Sequence, residues 1–344
     1  MRGGIFYKGK PLNKLFSSCK LIGFFEQLVE WYYGNKRDLP WRHGCTPYGA
    51  LVSEVMLQQT RVDTVIPYYI HFLEVLPDIE SLANASEELL MQLWQGLGFY
   101  RRVRNLQKAA QKIVSDHGGK FPEAYEEIKS LSGIGEYTAG AISSIAFNLP
   151  YPAIDGNVIR VLSRLHARNF DSNIIRETLL PLYQNFSDRG ALTQSFMDLG
   201  ATICLPNGKP DCSHCPWEQS CIAHRTHEEM KFPATKKKLA RKKVKMTVVV
   251  LKNSNRIAFS KRNNQGVLAD MWELPNFPDH LSVAEINSLF PSGKIVKKAN
   301  VKHIFSHLEW HMRVYYLELP DKPEQYSWKL LENCPLPTAF KKLL

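Results

Sequence analysis

Long apolar runs are missing from this chain of 344 residues. None approaches the ~20 residues needed to cross a bilayer, which excludes a helical membrane protein. The first twenty residues are basic in places but hold no clean apolar stretch or small-residue cleavage site, so no secretory signal is read there. Cysteine is scarce and unevenly placed: of seven, Cys19, Cys45 and Cys334 stand alone and four lie between 204 and 221. An odd count without a signal argues against a disulfide framework and for a reducing compartment. Acidic residues are in deficit, 33 against 44 Lys+Arg, leaving a net charge of +11. That balance fits a polyanionic partner, nucleic acid first, and equally a basic protein with none. Internal repeats and low-complexity tracts are absent. A composition of 44% hydrophobic and 22% charged residues excludes a disordered or fibrous chain.

What is present divides into two textures. Apolar residues recur at helical spacing in Leu21–Tyr33 (Phe24, Leu28, Trp31) and over 86–115, where Gly96 and Gly98 break the run. Two more periodic stretches lie between Phe121 and Leu149, joined by Gly133-Ile134-Gly135. Between 236 and 245 seven of ten residues are basic and none is acidic, which reads as a linker. After it, Thr247–Leu251, Ile257–Phe259 and Val314–Leu317 read as strands. The expected organisation is an extension (1–22), a mainly α domain (23–225), a basic linker (226–245) and a smaller α/β domain (246–344).

Four features carry chemistry. Cys204-x7-Cys212-x2-Cys215-x5-Cys221 wraps one continuous loop around a centre, and this compact, unequal spacing favours a cubane [4Fe-4S] cluster over paired-ligand zinc. His214 and His224 lie nearby and are expected to face solvent, because four thiolates suffice. In the hairpin 131–139, Gly133 and Gly135 expose backbone N–H groups at a helix start, where a phosphate can dock. Asp155 stands between an apolar stretch and a helix beginning near Val158, where helix-start N–H groups would stabilise its charge; an ordinary N-cap reads the same way. Glu54 is the one charge in 48–60, read as a continuous helix, and an acid so surrounded is expected to be desolvated with its pKa raised.

Together these residues resemble the helix-hairpin-helix DNA glycosylases with a four-cysteine iron–sulfur loop, and within them the adenine glycosylases of the MutY family. The resemblance is carried by Leu39-Pro40-Trp41-Arg42, Ser53–Thr60, Leu93–Tyr100, Gly133–Thr138, Ile154–Val158, the cysteine loop and Phe305-Ser306-His307. It is close over about 23–225 and looser over 245–318. The second domain resembles a MutT-like (Nudix) fold through Gly266–Pro275, without the glutamate-rich helix that holds magnesium in active hydrolases. It is therefore expected to recognise, not to catalyse.

The resemblance implies a monofunctional enzyme that flips adenine, mispaired with 8-oxoguanine or guanine, out of duplex DNA and excises it. Glu54 would be general acid and base, Asp155 the oxocarbenium stabiliser or nucleophile, and Tyr137 their support. Endonuclease III relatives have a lysine where Tyr137 stands; a phenol cannot form their Schiff base, so little lyase activity is expected. DNA or lesion contacts are expected from Arg42, Gln59, Thr60, Leu97, Phe99, Gly133, Gly135, Phe305, Ser306 and His307. Phe99 stands where the family has tyrosine, and the first cysteine gap is one residue longer than the family's. A monomer in a bacterial cytoplasm is expected. The rivals are an endonuclease III-like lyase and a catalytically silent DNA-binding iron–sulfur protein.

Overall fold

A computed structural model of the chain describes residues 18–234, 240–263, 265–331, 334 and 336–344. Among these, 18–85 with 104–234 form one compact unit, and 86–103 with the residues from 240 onward form another. The segment 86–103, expected inside the helical domain, thus belongs to the second unit. There Gln95 Nε2 donates to the Leu336 carbonyl at 3.5 Å.

The chain forms α1 (Ser18–Asn35), α2 (Pro47–Leu57), α3 (Val62–Val75), α4 (Ile79–Asn84), α5 (Glu87–Leu93), α6 (Arg101–His117), α7 (Tyr125–Lys129), α8 (Glu136–Phe147), α9 (Gly156–Leu165), α10 (Ser172–Asn185), α11 (Arg189–Asp198) and α12 (Ile222–Arg225). Helix α2 is central. Pro47 pre-sets its first turn, the Thr46 hydroxyl accepts from Gly49 N at 3.0 Å, and every residue from Gly49 to Met56 is buried. It packs on α8, the helix that follows the hairpin. A Cβ on Gly140 of α8 would lie 2.5 Å from the Pro152 carbonyl, so only glycine lets α8 approach the segment leading to Asp155. Helix α2 ends at Leu57, three residues short of the helix expected through Thr60. Gln59 follows with φ +58°, which no helix continues.

A second core gathers α1, α9, α10 and α11 around Phe25, Phe196 and Trp217. Trp217 belongs to the cysteine loop. Its ring stacks on Phe24 at 4.6 Å, and its indole N–H donates to the Phe24 carbonyl at 3.0 Å. The loop is thereby pinned to α1 by a large apolar side chain rather than by its cysteines alone.

The second unit is built on one sheet: β1 (Lys242–Asn253), β2 (Arg256–Lys261), β3 (Trp272–Glu273), β4 (Asn276–Pro278), β5 (Lys294–Ile304), β6 (Leu308–Glu318) and β7 (Ser327–Lys329). Its main path runs β3-β2-β1-β6-β5; β1 and β6 are parallel and the other pairs antiparallel. α13 (Val283–Leu289) and α14 (Thr338–Lys341) complete it. The three expected strands are found within β1, β2 and β6. Strand β1, however, starts at Lys242, inside the segment read as linker. Lys242, Lys243 and Lys245 are exposed while Val244 packs on the core, an alternation that belongs to a strand with one wet face. Residues 236–239 of that basic run lie outside the described residues.

Candidate active site and metal centre

Glu54, Tyr137 and Asp155 come together in the first unit from α2, α8 and the start of α9. Glu54 is 6% exposed. The Tyr137 hydroxyl is hydrogen-bonded to its carboxyl, and Glu54 Oε2 has no partner among the described residues. Burial raises its pKa to about 7; Tyr137 and Arg42 pull it down and Asp155 pushes it up. Ala50, Ser53, Glu54 and Leu57 line a pocket with Trp41, Cys45, Val62, Ile145 and Met197. The carboxyl therefore sits on a largely apolar wall.

Asp155 is also enclosed, but by donors. It is the N-cap of α9. One oxygen accepts from Asn157 N and Val158 N, both at 2.9 Å, and the other from Asn157 Nδ2 at 2.7 Å. Burial raises its pKa, while these donors and Arg160 oppose the rise. The carboxylate is thus provided with the partners an anion needs.

Sequence reasoning missed the residues behind Asp155. Arg160 donates to Asn157 Oδ1 at 2.7 Å, to the Gly200 carbonyl at 2.7 Å and to the Cys204 carbonyl at 2.8 Å. Asn157 is therefore held by the arginine that also grips the first cysteine of the loop. Gly200 lies in a π-helical turn, Leu199–Ile203, and a Cβ there would lie 2.5 Å from Asn157 Cβ.

Arg42, expected on DNA, forks its guanidinium onto Asp198 with both bonds at 2.8 Å and donates to the Arg37 carbonyl at 2.9 Å. Asp198 is fully buried and also bound by Arg37. Arg42 is a structural ion-pair partner at the edge of the Glu54 pocket. Of the two residues expected near a wedge, Leu97 is buried, while Phe99, with φ +47°, is 49% exposed. The Arg102 guanidinium lies 5.4 Å from the centre of the Phe99 ring.

Gln59 is exposed and Thr60 half-buried in the turn after α2. Gly133 has φ +78°, and a Cβ on it would meet Asn105 Cβ at 2.7 Å; Gly135 is the N-cap of α8. Phe305, Ser306 and His307 form the tip of the β5–β6 hairpin, closed by Phe305 N to the Leu308 carbonyl at 2.8 Å. Phe305 packs edge-on against Trp310 at 4.8 Å, while Ser306 and His307 are exposed.

Cys204, Cys212, Cys215 and Cys221 line one cavity in the first unit. Burial raises the thiol pKa of Cys212 to about 11 and of Cys215 to about 12 and pushes that of Cys221 up; their mutual proximity adds to each. Arg164 Nη1 reaches Cys204 Sγ at 3.4 Å. Four half-buried thiols lining one cavity fit a metal centre, which stabilises its ligands as thiolates. His224, expected to face solvent, lines this cavity instead, and its Nδ1 meets Glu229 Oε1 at 2.8 Å. His214 is exposed beside Asp211.

The fold and the family have known counterparts. The HhH-GPD superfamily of base excision DNA repair proteins matches residues 52–183, and a NUDIX domain matches 246–344. A thermostable thymine-DNA glycosylase superposes with a TM-score of 0.56 at 25% identity, covering 61% of this chain and all of that one. Endonuclease III in a non-covalent DNA complex gives 0.52 at 20% identity, covering 62% and 98%. Fold and site define a DNA N-glycosylase of base excision repair, with DNA as its partner.

Adenine DNA glycosylase of Rattus norvegicus is 33% identical over 410 residues, covering 97% of this chain and 79% of that one. The Homo sapiens enzyme is 33% identical over 404 residues (94% and 74%), and that of Buchnera aphidicola subsp. Baizongia pistaciae 34% over 301 (85% and 84%). The chain belongs to the adenine DNA glycosylase family and excises adenine in DNA repair. These relatives span bacteria and mammals. No helix among the described residues is long and apolar enough to cross a membrane.

Proposed function

We propose that the chain excises adenine mispaired with 8-oxoguanine or guanine, as a monomer, using Glu54 and Asp155 in opposite protonation states. The observation that carries the reading is Glu54: a buried carboxyl with one oxygen unpartnered and a pKa near neutrality. Such a group enters the reaction protonated and aims its proton at a base in its pocket. The proton passes to adenine N7, the glycosidic C–N bond breaks with its electrons going to the base, and positive charge develops on the sugar. Asp155, held as an anion by its three donors, stabilises that cation or bonds to it, as in retaining glycosidases. Glu54, now a carboxylate, takes a proton from the water that completes the sugar product. The Tyr137 hydroxyl orients Glu54 and, lacking an amine, forms no imine with the sugar, so strand cleavage is not expected.

Phe305, Ser306 and His307 would read the partner base, with the exposed Ser306 hydroxyl able to donate or accept at the edge where 8-oxoguanine differs from guanine. Phe99 would stack within the duplex, Gly133 and Gly135 would bring α8's free N–H groups to a phosphate, and Gln59 and Thr60 would lie along the lesion strand. Cys204, Cys212, Cys215 and Cys221 would hold a [4Fe-4S] cluster, which supplies a cross-link to their loop and no step of hydrolysis.

The test is single-turnover adenine release from duplexes with adenine opposite 8-oxoguanine and opposite guanine, with nicking scored before and after alkali. Glu54→Gln should lose roughly 10³–10⁴-fold in rate while binding the duplex. Release by that variant at near wild-type rate would sink the assignment.

A further inference from the structure

The sheet of the second unit has two faces, treated differently. On one, Met246, Val248, Trp310 and Met312 are covered by Ala339, Phe340 and Leu343 of α14 and its end. On the other, Val249, Leu251, Tyr315 and Leu317 are covered by Ile286 and Phe290 of α13 and its end, but only over the half remote from the β5–β6 turn. Residues 279–281, which lead into α13, cross this face at Thr247, whose hydroxyl donates to the Asp279 carbonyl at 2.8 Å and accepts from Leu281 N at 2.8 Å. Between that crossing and the Ser306 turn, the face carries no covering element among the described residues.

Register places a basic set on this open half. Lys243 pairs with Glu309 and Lys245 with His311 across the parallel β1–β6 ladder, and Lys302 pairs with His311 across β5–β6; Lys298, opposite Tyr315, lies past the Thr247 crossing at the covered half. All three lysines of the open half are exposed. One carboxylate lies among them: Glu309, 7% exposed, ion-paired to Lys302 at 2.9 Å and hydrogen-bonded to His311 Nε2 at 2.5 Å. Asp279 stands at the rim. The side chains of Lys243 and Lys245 form no hydrogen bond or ion pair among the described residues. The patch abuts the turn directly, since Lys242 N donates to the His307 carbonyl at 3.1 Å and Arg241 Nε to the Phe305 carbonyl at 3.1 Å.

We propose that this open half-face is a sugar–phosphate track, on which Lys243, Lys245 and Lys302 hold the DNA backbone beside the hairpin. Excess positive charge around a single exposed apolar side chain, Ile304 opposite Glu309, favours a polyanion over a folded protein partner, and the chain's partner is DNA. Phosphate contacts fix register and carry no base information. The track therefore adds affinity for any duplex and leaves discrimination to the hairpin. It rests on DNA as partner and stands whether or not Ser306 reads the lesion.

The test uses the full chain with its cluster loaded, an undamaged duplex, and the same duplex with an abasic site opposite 8-oxoguanine. Dissociation constants are measured across a salt series. Lys243→Ala/Lys245→Ala/Lys302→Ala should weaken both duplexes by a similar factor, roughly tenfold or more at low salt, and reduce the log–log salt slope by about two to three. The rate of adenine release at saturating enzyme, and its ratio between 8-oxoguanine and guanine partners, should stay as in wild type. The triple Lys→Arg variant should keep the slope, which separates charge from folding. A control removing Lys252, Lys294 and Lys322 should change the slope by less than half as much. An unchanged slope in the alanine triple, or an equal loss in the control, overturns the track, and loss of the 8-oxoguanine ratio alone would assign these lysines to the hairpin instead.

Discussion

Glu54 and Asp155 are two enclosed acids about one site, and their surroundings are opposed. Glu54 projects from the middle of a helix whose neighbours are apolar, with one phenol for company and one oxygen left over. Asp155 caps the start of a helix and receives two backbone N–H groups and an amide. Burial raises both pKa values, yet only Asp155 has several donors to offset it. In the proposed mechanism, the difference would keep a proton donor and an anion together at the same pH. The position in the helix decides: mid-helix leaves a carboxyl without backbone donors, and the N-cap supplies them.

The comparison breaks most sharply at Asp155. Asp155→Asn keeps size and part of the cap but removes the charge, so the developing sugar cation loses its counter-ion. Single-turnover adenine release should fall about a thousandfold with duplex binding retained. A loss below tenfold would show that Asp155 is only a cap.

Arg42 offers the next largest effect, on stability rather than chemistry. Removing it leaves Asp198 buried with only the Arg37 guanidinium and backbone N–H, a partly compensated charge, so the cost should fall below the about 3–5 kcal/mol of a wholly unpaired one. Arg42→Ala should lower the denaturation midpoint markedly. If instead stability holds and DNA affinity falls, Arg42 contacts DNA after all.

A smaller effect is expected behind the cap. Asn157→Ala deletes the side-chain donor to Asp155 and the acceptor for Arg160 while keeping both backbone donors. Release should slow roughly tenfold. The acid limb of its pH profile should move to higher pH, because a donor that lowers the Asp155 pKa is gone. An unmoved acid limb would separate Asn157 from the charge on Asp155.

These residues also mark how far the sequence could be read. Glu54 was legible because one acid among apolar helical neighbours is itself a physical statement. Asp155 was legible as an acid before a helix, and the four cysteines by spacing. The partners were not. Arg42 meets Asp198 across 156 positions of sequence, and Arg160 reaches Cys204 across 44. No local pattern encodes such pairings. The basic run 236–245 misled for another reason: its count of lysines hid the alternation that makes Lys242–Lys245 strand. Helix α2 was overextended because Gln58–Thr60 are compatible with a helix, and only the left-handed turn at Gln59 ends it.

The finest test of the comparison is Tyr137, the one hydrogen-bond donor to Glu54 among the described residues. Its hydrogen bond favours the ionised carboxyl and so lowers a pKa that burial alone would place higher. In wild type the protonated acid is lost as pH rises through about 7, and adenine release should fall along that limb. Tyr137→Phe removes the donor, so the limb should move up, with a few-fold loss of rate below it. The same shift has a stability signature. Glu54 binds its proton more tightly folded than unfolded, so folding stability should decline between pH 4.5 and 7, by about 3 kcal/mol at most. Glu54→Gln should flatten that decline, and Tyr137→Phe should extend it to higher pH. A limb that stays in place in Tyr137→Phe would mean that the pH dependence belongs to another group. Glu54 would then owe its role to position and not to its proton.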